Sequence, residues 1–260
     1  TGRGDLRRSL APILSVCVSK GRPVMSDIPP ILTSAERIFI VAPHPDDETL
    51  GCGGLIASTV ERGGSVFTLF VTDGGASHPE SSAWSRRRLV TERQKEAEEA
   101  LDILGAGDQP RAFLRLRDTE IPKPDTPQWQ PLVASVIKLL VEFDPDLIVL
   151  PWRRDPHCDH RDAHELMTAA LDLAGSPAEC IEYAIWLDEL GAKEDFPVSG
   201  EVDRIEFPIG QHQALKEAAL KAHATQLGAI DEEAPGGFFL KPDTVARLIT
   251  PVETYFKPCA

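Results

Sequence analysis

The chain has 260 residues, 42% hydrophobic and 26% charged, an ordinary globular mixture with apolar material for one full-sized domain. Its net charge is −14, with a pI near 4.9, so phosphate-rich polymers and anionic membranes, which need a basic face, are excluded as favoured partners. Five cysteines, an odd number without a Cys-x-x-Cys spacing, offer neither a disulfide framework nor a thiolate zinc site and fit a reducing, cytoplasmic compartment.

Residues 1–35 read as an N-terminal extension ahead of a single domain over residues 36–260. The apolar run at residues 10–18 follows Arg7-Arg8 as a secretory leader would. It is short, broken by Pro12 and Ser15, and followed by Lys20 and Arg22 rather than by small residues of a cleavage site. No apolar run reaches the roughly 18 residues of a membrane span.

The first strand is expected at residues 37–42, a buried apolar run. It leads into Pro43-His44-Pro45-Asp46-Asp47-Glu48, whose prolines should keep the backbone extended, and then into a helix at residues 53–62, stopped by Gly63-Gly64. Residues 65–72 form a second strand ending in Asp73-Gly74-Gly75. A helix at residues 84–104 can place Leu89, Ala97, Ala100, Leu101 and Leu104 on one face. Residues 112–116 are a third strand, followed by Arg117-Asp118-Thr119-Glu120. A helix at 128–142 precedes a fourth strand at 146–151, which lacks polar alternation, as expected when both faces are covered. A helix at 160–173, strands at 180–187 and 202–209, and a helix at 211–227 complete the reading. Strands alternating with helices predict an α/β fold with a Rossmann-like, mostly parallel sheet covered by helices on both faces.

Open parallel sheets bind ligands beyond the carboxyl ends of their strands. The His44 block follows the first strand, Asp73 the second, Asp118 the third, and Asp155-Pro156-His157-Cys158-Asp159-His160 the fourth. The chemistry-bearing residues therefore converge on one sheet edge. Acids packed as closely as Asp46, Asp47 and Glu48 repel one another unless a cation or proton joins them. His44 and His160 with one carboxylate from Asp46 or Asp47 would leave coordination positions open, as a catalytic Zn2+ site does. Spacing alone does not choose between the two aspartates. The same donor set fits Fe2+ in a non-haem oxygenase, although alternating strands and helices argue against the all-β setting of that chemistry. A carbohydrate-binding protein without catalysis is a third reading.

Plainer roles exist for several residues. Asp159 could cap a helix, with Asp162 in its first turn. His164, four residues after His160, reads as a supporting histidine rather than a fourth ligand, and Glu48 as a helix-start acid. His78, His212 and His223 lack paired acids nearby in sequence and read as structural or exposed. Gly51-Cys52-Gly53-Gly54 lacks the dinucleotide spacing, so close helix packing explains its glycines better. Arg93 can sit on a solvated charged face.

Ala42-Pro43-His44-Pro45-Asp46-Asp47-Glu48 resembles the A-H-P-D-D-E signature of the PIG-L/LmbE family of zinc-dependent N-acetylglucosaminyl deacetylases, with Pro43 inserted before the histidine. His157-Cys158-Asp159-His160 is similar to the family's H-x-D-H block, and the resemblance runs from about residue 37 to 173, with an echo at His223-Ala224-Thr225-Gln226. It implies that His44, Asp47 and His160 hold zinc and that Asp46 is the general base toward water. His157 would stabilise the oxyanion or protonate the leaving amine, with Asp159 orienting its imidazole. Arg93, in an Arg-x-x-Glu helix, and Asp118 would contact substrate, although Arg117-Asp118-Thr119 departs from the plainer Asp-Gly turn of relatives. The implied reaction removes an N-acetyl or other N-acyl group from a small-molecule 2-acetamido sugar, and the implied assembly is a homo-oligomer.

Overall fold

The computed structural model describes residues 30–230 and 236–259; the leader-like run at 10–18 and Cys17 lie outside them. The chain alternates as expected: β1 (Arg37–Ala42), α2 (Asp47–Glu61), β2 (Ser65–Thr72), α3 (Arg86–Ile103), β3 (Arg111–Leu116), α4 (Trp129–Phe143), β4 (Leu147–Pro151), α5 (Cys158–Ala174) and β5 (Glu179–Tyr183). A short α1 (Pro30–Ser34) precedes them. After them come α6 (Leu187–Leu190), β6 (Val202–Pro208), α7 (Gln213–Ala222), α8 (Pro242–Leu248) and β7 (Val252–Pro258).

The seven-stranded sheet has the order β3-β2-β1-β4-β5-β7-β6. Strands β1 to β5 are parallel, and β7 runs antiparallel to both β5 and β6. The chain moves outward from β1 to β3, then returns to lay β4 on the other side of β1. Such a switch point opens a crevice at the carboxyl ends of the two central strands.

β1 shows why the central strands lack polar alternation. Ile38, Ile40 and Ala42 face one apolar cluster with α2 and α3, while Phe39 and Val41 face a second with α4 and α5. Both sheet faces are dry over residues 38–42, so each of these positions is apolar. Leu32 of α1 is fully buried in the first cluster, so the domain's core draws on the stretch read as an N-terminal extension.

Several boundaries differ from the sequence reading. α2 begins at Asp47, not near 53, because its glycines do not break it. A Cβ on Gly51 would lie 2.2 Å from the Tyr183 ring, and one on Gly54 would lie 2.4 Å from Ile209, so bare backbone lets the helix seat on its neighbours. α5 begins at Cys158, and α7 ends at Ala222, where residues 224–226 make a separate 3-10 turn. β7 went unread; alternating Glu253, Tyr255 and polar neighbours masked a strand whose buried polar side chains are paired.

Tyr183 also donates its hydroxyl to the Val41 carbonyl at 2.8 Å, fastening β5 to the end of β1 beneath the site. Gly51→Ala should therefore destabilise the fold by about 1–3 kcal/mol, the usual range for overpacking. The roughly 1 kcal/mol that alanine gains in helix propensity is too small to reverse this. Urea unfolding midpoints check it: a variant more stable than the parent rules out the tight seat.

Candidate active site

The stretch after β1 turns rather than staying extended. Asp46 adopts φ 145°, ψ −26°, a left-handed conformation costly for a side-chain-bearing residue, and Asp47 then opens α2. Buried partners hold the turn. The Asp46 N–H donates to Glu48 Oε2 at 2.9 Å. The Arg93 guanidinium donates to the Pro45 and Gly74 carbonyls, each at 2.8 Å, and reaches Asp46 Oδ1 at 3.2 Å. Arg93 is 3% exposed, so the solvated-face reading is wrong; it clamps the turn and lines the cavity from behind Asp46.

Glu48 is fully buried and accepts the Thr49 hydroxyl at 2.6 Å, with His223 Nε2 at 3.1 Å from the same oxygen. His223, read as lacking an acid partner, therefore has one 175 positions away in sequence. Glu96, on α3 near Arg93, accepts the Thr225 N–H at 2.8 Å and its hydroxyl at 2.5 Å, which ties down the turn carrying His223. The charged motif Arg93-x-x-Glu96 thus faces inward with both ends used.

His44 sits among three carboxylates. Its Nδ1 lies 3.1 Å from Asp47 Oδ2, and its Nε2 lies 3.0 Å from Asp159 Oδ2 and 3.4 Å from Asp118 Oδ1. His160 Nε2 lies 3.2 Å from the same Asp47 oxygen, so Asp47 bridges the two imidazoles. On its far side His160 Nδ1 faces Asp155 Oδ1 at 3.6 Å. The expected trio His44, Asp47 and His160 is brought together. His157 joins it, for ring nitrogens of His44, His157 and His160 lie within 4.8 Å of one another, as do donor atoms of His44, Asp118 and Asp159.

Charge follows from this crowding. Burial opposes protonation of His44, but Asp118, Asp159 and Asp47 outweigh it and hold its pKa well above the ordinary value. His160 is likewise opposed by burial and raised by Asp47 and Asp155, to about 10. Burial would raise the Asp47 carboxyl, yet His160 and His44 pull it well below the ordinary range. Asp46 goes the other way: burial raises it, Arg93 only partly offsets this, and its carboxyl reaches about 6. His157 is lowered to about 4 by burial and by the neighbouring imidazoles, so it is neutral at pH 7.

The resemblance implies that Asp159 orients the His157 imidazole; instead its carboxylate faces His44 and accepts the Thr119 N–H at 2.9 Å. Its link to His157 is through the backbone: His157 is the N-cap of α5, and its Nδ1 accepts the Asp159 N–H at 3.2 Å. The capping reading of Asp159 is corrected accordingly. With Nδ1 accepting, the neutral ring carries its proton on Nε2, an assignment made from the hydrogen-bond network. Asp118 also accepts the Ala76 N–H at 2.9 Å, joining the loops after β2 and β3.

Asp155 was missed as a site residue. It is fully buried; Oδ1 accepts the His157 N–H at 3.0 Å and Oδ2 accepts the N–H groups of Ile185 and Trp186 at 3.1 Å. A carboxylate behind an imidazole fixes ring orientation and tautomer in metal sites. Its only signal in the sequence was its place at the head of the Asp155-Pro156-His157 block.

Other histidines lie elsewhere. His164 meets Glu182 at 3.0 Å in a separate cavity, His212 faces Glu61 at 3.4 Å, and His78 bonds Ser77 at 3.0 Å. Asp73, placed on the correct edge, turns aside to pair with Arg86 at 2.6 Å. The cavity itself is about 360 Å³. Its floor carries His44, Asp46, Asp47, Asp118 and His157, and its wall carries Trp186, Leu190 and Phe238. Segments following all five parallel strands contribute to it.

A divalent ion fits these residues. Both ring nitrogens of fully buried His160 face carboxylates, Asp47 at 3.2 Å and Asp155 at 3.6 Å, without a well-formed hydrogen bond, and three carboxylates surround the His44 imidazole in a largely buried cluster. A nitrogen–nitrogen–oxygen donor set with acidic neighbours suits zinc or ferrous iron.

Comparison with known proteins follows the same lines. The profile of the family described as PIG-L, GlcNAc-PI de-N-acetylase, matches residues 39–171. A 1D-myo-inositol 2-acetamido-2-deoxy-alpha-D-glucopyranoside deacetylase of Geodermatophilus obscurus is 27% identical, over 86% of this chain and 92% of its own length. A protein of the same description from Rhodococcus erythropolis is 30% identical, over 84% of this chain and 89% of its own. Among solved structures, an N,N'-diacetylchitobiose deacetylase from Pyrococcus horikoshii superposes with a TM-score of 0.64 at 20% identity, covering 89% of this chain and 87% of that one, which bears on fold alone. The two signature blocks, the parallel sheet that brings them together and these matches establish that the chain belongs to the PIG-L family.

Proposed function

We propose that the protein is a metal-dependent amidohydrolase that removes the N-acetyl group from a 2-acetamido sugar, with zinc as the resident ion. The observation that carries this is the placement of buried Asp46, with its carboxyl raised to about 6, on the floor of one cavity with His44 and Asp47, with fully buried His160 behind Asp47. A carboxylate tuned toward neutrality is a competent general base near physiological pH.

In this reading His44, Asp47 and His160 hold the ion, which when bound polarises an amide carbonyl and acidifies water. Asp46 accepts the proton from the attacking water. His157, which lines the cavity with its proton on Nε2, would donate a hydrogen bond to the amide oxygen as it gains charge. The carbon–nitrogen bond breaks, nitrogen takes up a proton, and acetate and the free amino sugar leave, one water being consumed. Asp118 faces His44 and joins two loops, Arg93 fixes the Asp46 turn, and both line the cavity, where they would contact the sugar. The iron-oxygenase alternative loses its footing in a parallel α/β sheet. Among the described residues no helix is long and apolar enough to cross a membrane. A cytoplasmic location and self-association belong to this reading as well.

The test is a panel of N-acetylglucosaminides incubated with zinc-loaded protein and followed by mass spectrometry. Loss of one acetyl group, with acetate released in equal amount, is expected. Intact substrates with every divalent metal would reject the reading.

A further inference from the structure

One buried polar atom beside the cavity has nothing to bond. Gln226 is 1% exposed and lines the cavity with Asp46, Ser77 and Arg93, and its Oε1 has no hydrogen-bond partner among the described residues. A buried acceptor left unpaired is costly, so such an atom calls for a donor from outside the chain.

The amide cannot turn over to satisfy itself. The Thr225 hydroxyl gives its one proton to Glu96 Oε2 at 2.5 Å, so toward Gln226 its oxygen can only accept. The Gln226 amide nitrogen donates to that oxygen at 3.1 Å and lies 3.5 Å from Ser77 Oγ. The nitrogen thus takes the protein side and the oxygen is left over, an orientation assigned from the hydrogen-bond network. The backbone is fixed as well: the Gln226 N–H donates to the His223 carbonyl at 3.0 Å, and the Gln226 carbonyl accepts the Leu240 N–H at 2.8 Å. An acceptor held in this way needs no reorganisation to meet a ligand.

The turn that carries Gln226 also reaches the base. His223 heads the 3-10 turn of residues 224–226, and its Nε2 lies 3.1 Å from Glu48 Oε1. The other oxygen of Glu48 accepts the Asp46 N–H at 2.9 Å. Glu96 grips the middle of the turn through the Thr225 N–H and hydroxyl. Buried contacts therefore run from Gln226 through His223 and Glu48 to the strained backbone of Asp46, at φ 145°.

We propose, on the deacetylase reading above, that Gln226 Oε1 accepts a hydrogen bond from one N–H or O–H of the bound amino sugar, and that through its turn this contact helps to hold Asp46 for proton transfer. Gln226 is then a specificity residue that also acts through the base. A ligand without that donor leaves the acceptor unpaired in the complex, which should cost about 10–100-fold in kcat/KM. Because the turn also supports Asp46, part of the loss falls on kcat, as when a contact away from the reacting atoms is used to position the catalytic groups.

The experiment uses the zinc-loaded full chain and Gln226→Met, which keeps the side-chain length and removes the acceptor. Each is given methyl N-acetylglucosaminide, its 3-, 4- and 6-deoxy analogues, and the 2-O-acetyl ester that lacks the amide N–H. For one analogue, the one missing the donor, the parent should prefer the full glycoside by about tenfold or more, and Gln226→Met by about twofold or less. Each preference is a ratio within one enzyme, so the folded fraction cancels. In the parent that analogue should show a lowered kcat as well as a raised KM. If Gln226→Met leaves every preference unchanged, Gln226 does not meet the substrate; if the loss lies in KM alone, the link to Asp46 is overturned. If no compound releases acetate, the deacetylase reading fails, and calorimetric binding of the same set decides the contact separately: a preference erased by Gln226→Met upholds it, and parallel affinities in the two proteins reject it.

Discussion

Asp46→Asn is expected to retain the bound metal and lose about two to four orders of magnitude in turnover, the usual cost of removing a general acid–base group. The substitution isolates charge from backbone. Asparagine tolerates positive φ about as well as aspartate does, so the strained turn at φ 145° survives. The Asp46 N–H still donates to Glu48, and the Arg93 hydrogen bonds to the Pro45 and Gly74 carbonyls are untouched. What disappears is the carboxylate that can take a proton. Asp47, next in sequence, cannot replace it, because its Oδ2 is already shared among the His44 N–H and both imidazoles.

The pH profile gives the prediction a sign. Asp46 works as a base only when ionised, so activity should rise with pH as its carboxyl titrates. Burial puts that transition near 6 in the metal-free protein. A cation on the adjacent donors favours the carboxylate, so the acidic limb of the loaded enzyme should fall at or below about 6. In Asp46→Asn that limb should vanish from the residual rate. Metal content and single-turnover rates check the assignment. Loss of metal in Asp46→Asn, with retention in Asp47→Asn, would exchange the two roles.

The fold and the donor cluster were legible in the sequence for one physical reason: both are written in local patterns. Short continuous apolar runs such as residues 38–42, alternating with helical stretches, read as strands covered on both faces, and parallel strands put whatever follows them at one edge. His44, Asp118 and His157 were therefore placed together without any knowledge of contacts. The partners that tune them were not legible, because they are long-range and buried. Nothing near His223 in sequence announces Glu48, and nothing near Arg93 announces the Pro45 carbonyl. The contortion at Asp46 was hidden too. Prolines on either side of His44 suggest extended chain, and only the tertiary clamp of Arg93 and Glu48 makes the left-handed turn tolerable. The glycines were legible in part: Gly51 and Gly54 are close-packing positions that let α2 approach Tyr183 and Ile209, but the helix begins ahead of them, at Asp47, rather than near 53.

His160→Ala should abolish most metal binding and, with it, activity, while the fold persists. Alanine suits the first turn of α5, so helix propensity does not oppose it. The loss is chemical. His160 is fully buried, both ring nitrogens lack hydrogen-bond partners, and it sits between Asp47 and Asp155. Removing it leaves two buried carboxylates facing a void, so some destabilisation accompanies the loss of the donor. Circular dichroism should nevertheless show an intact α/β protein, and elemental analysis should show metal well below one equivalent. Asp155→Asn supplies the graded control. It keeps all three proposed donors but weakens the group behind His160, an effect typically of about 10–100-fold in metal affinity. The neighbouring set of His44, Asp118 and Asp159 is one alternative site that the geometry offers, and the same measurement separates it from the His44–Asp47–His160 site. If His160→Ala and Asp47→Ala stay stoichiometric in metal while Asp118→Ala and Asp159→Ala do not, the ion belongs on the far side of His44. The opposite pattern places it between His44 and His160, next to the carboxylate of Asp46.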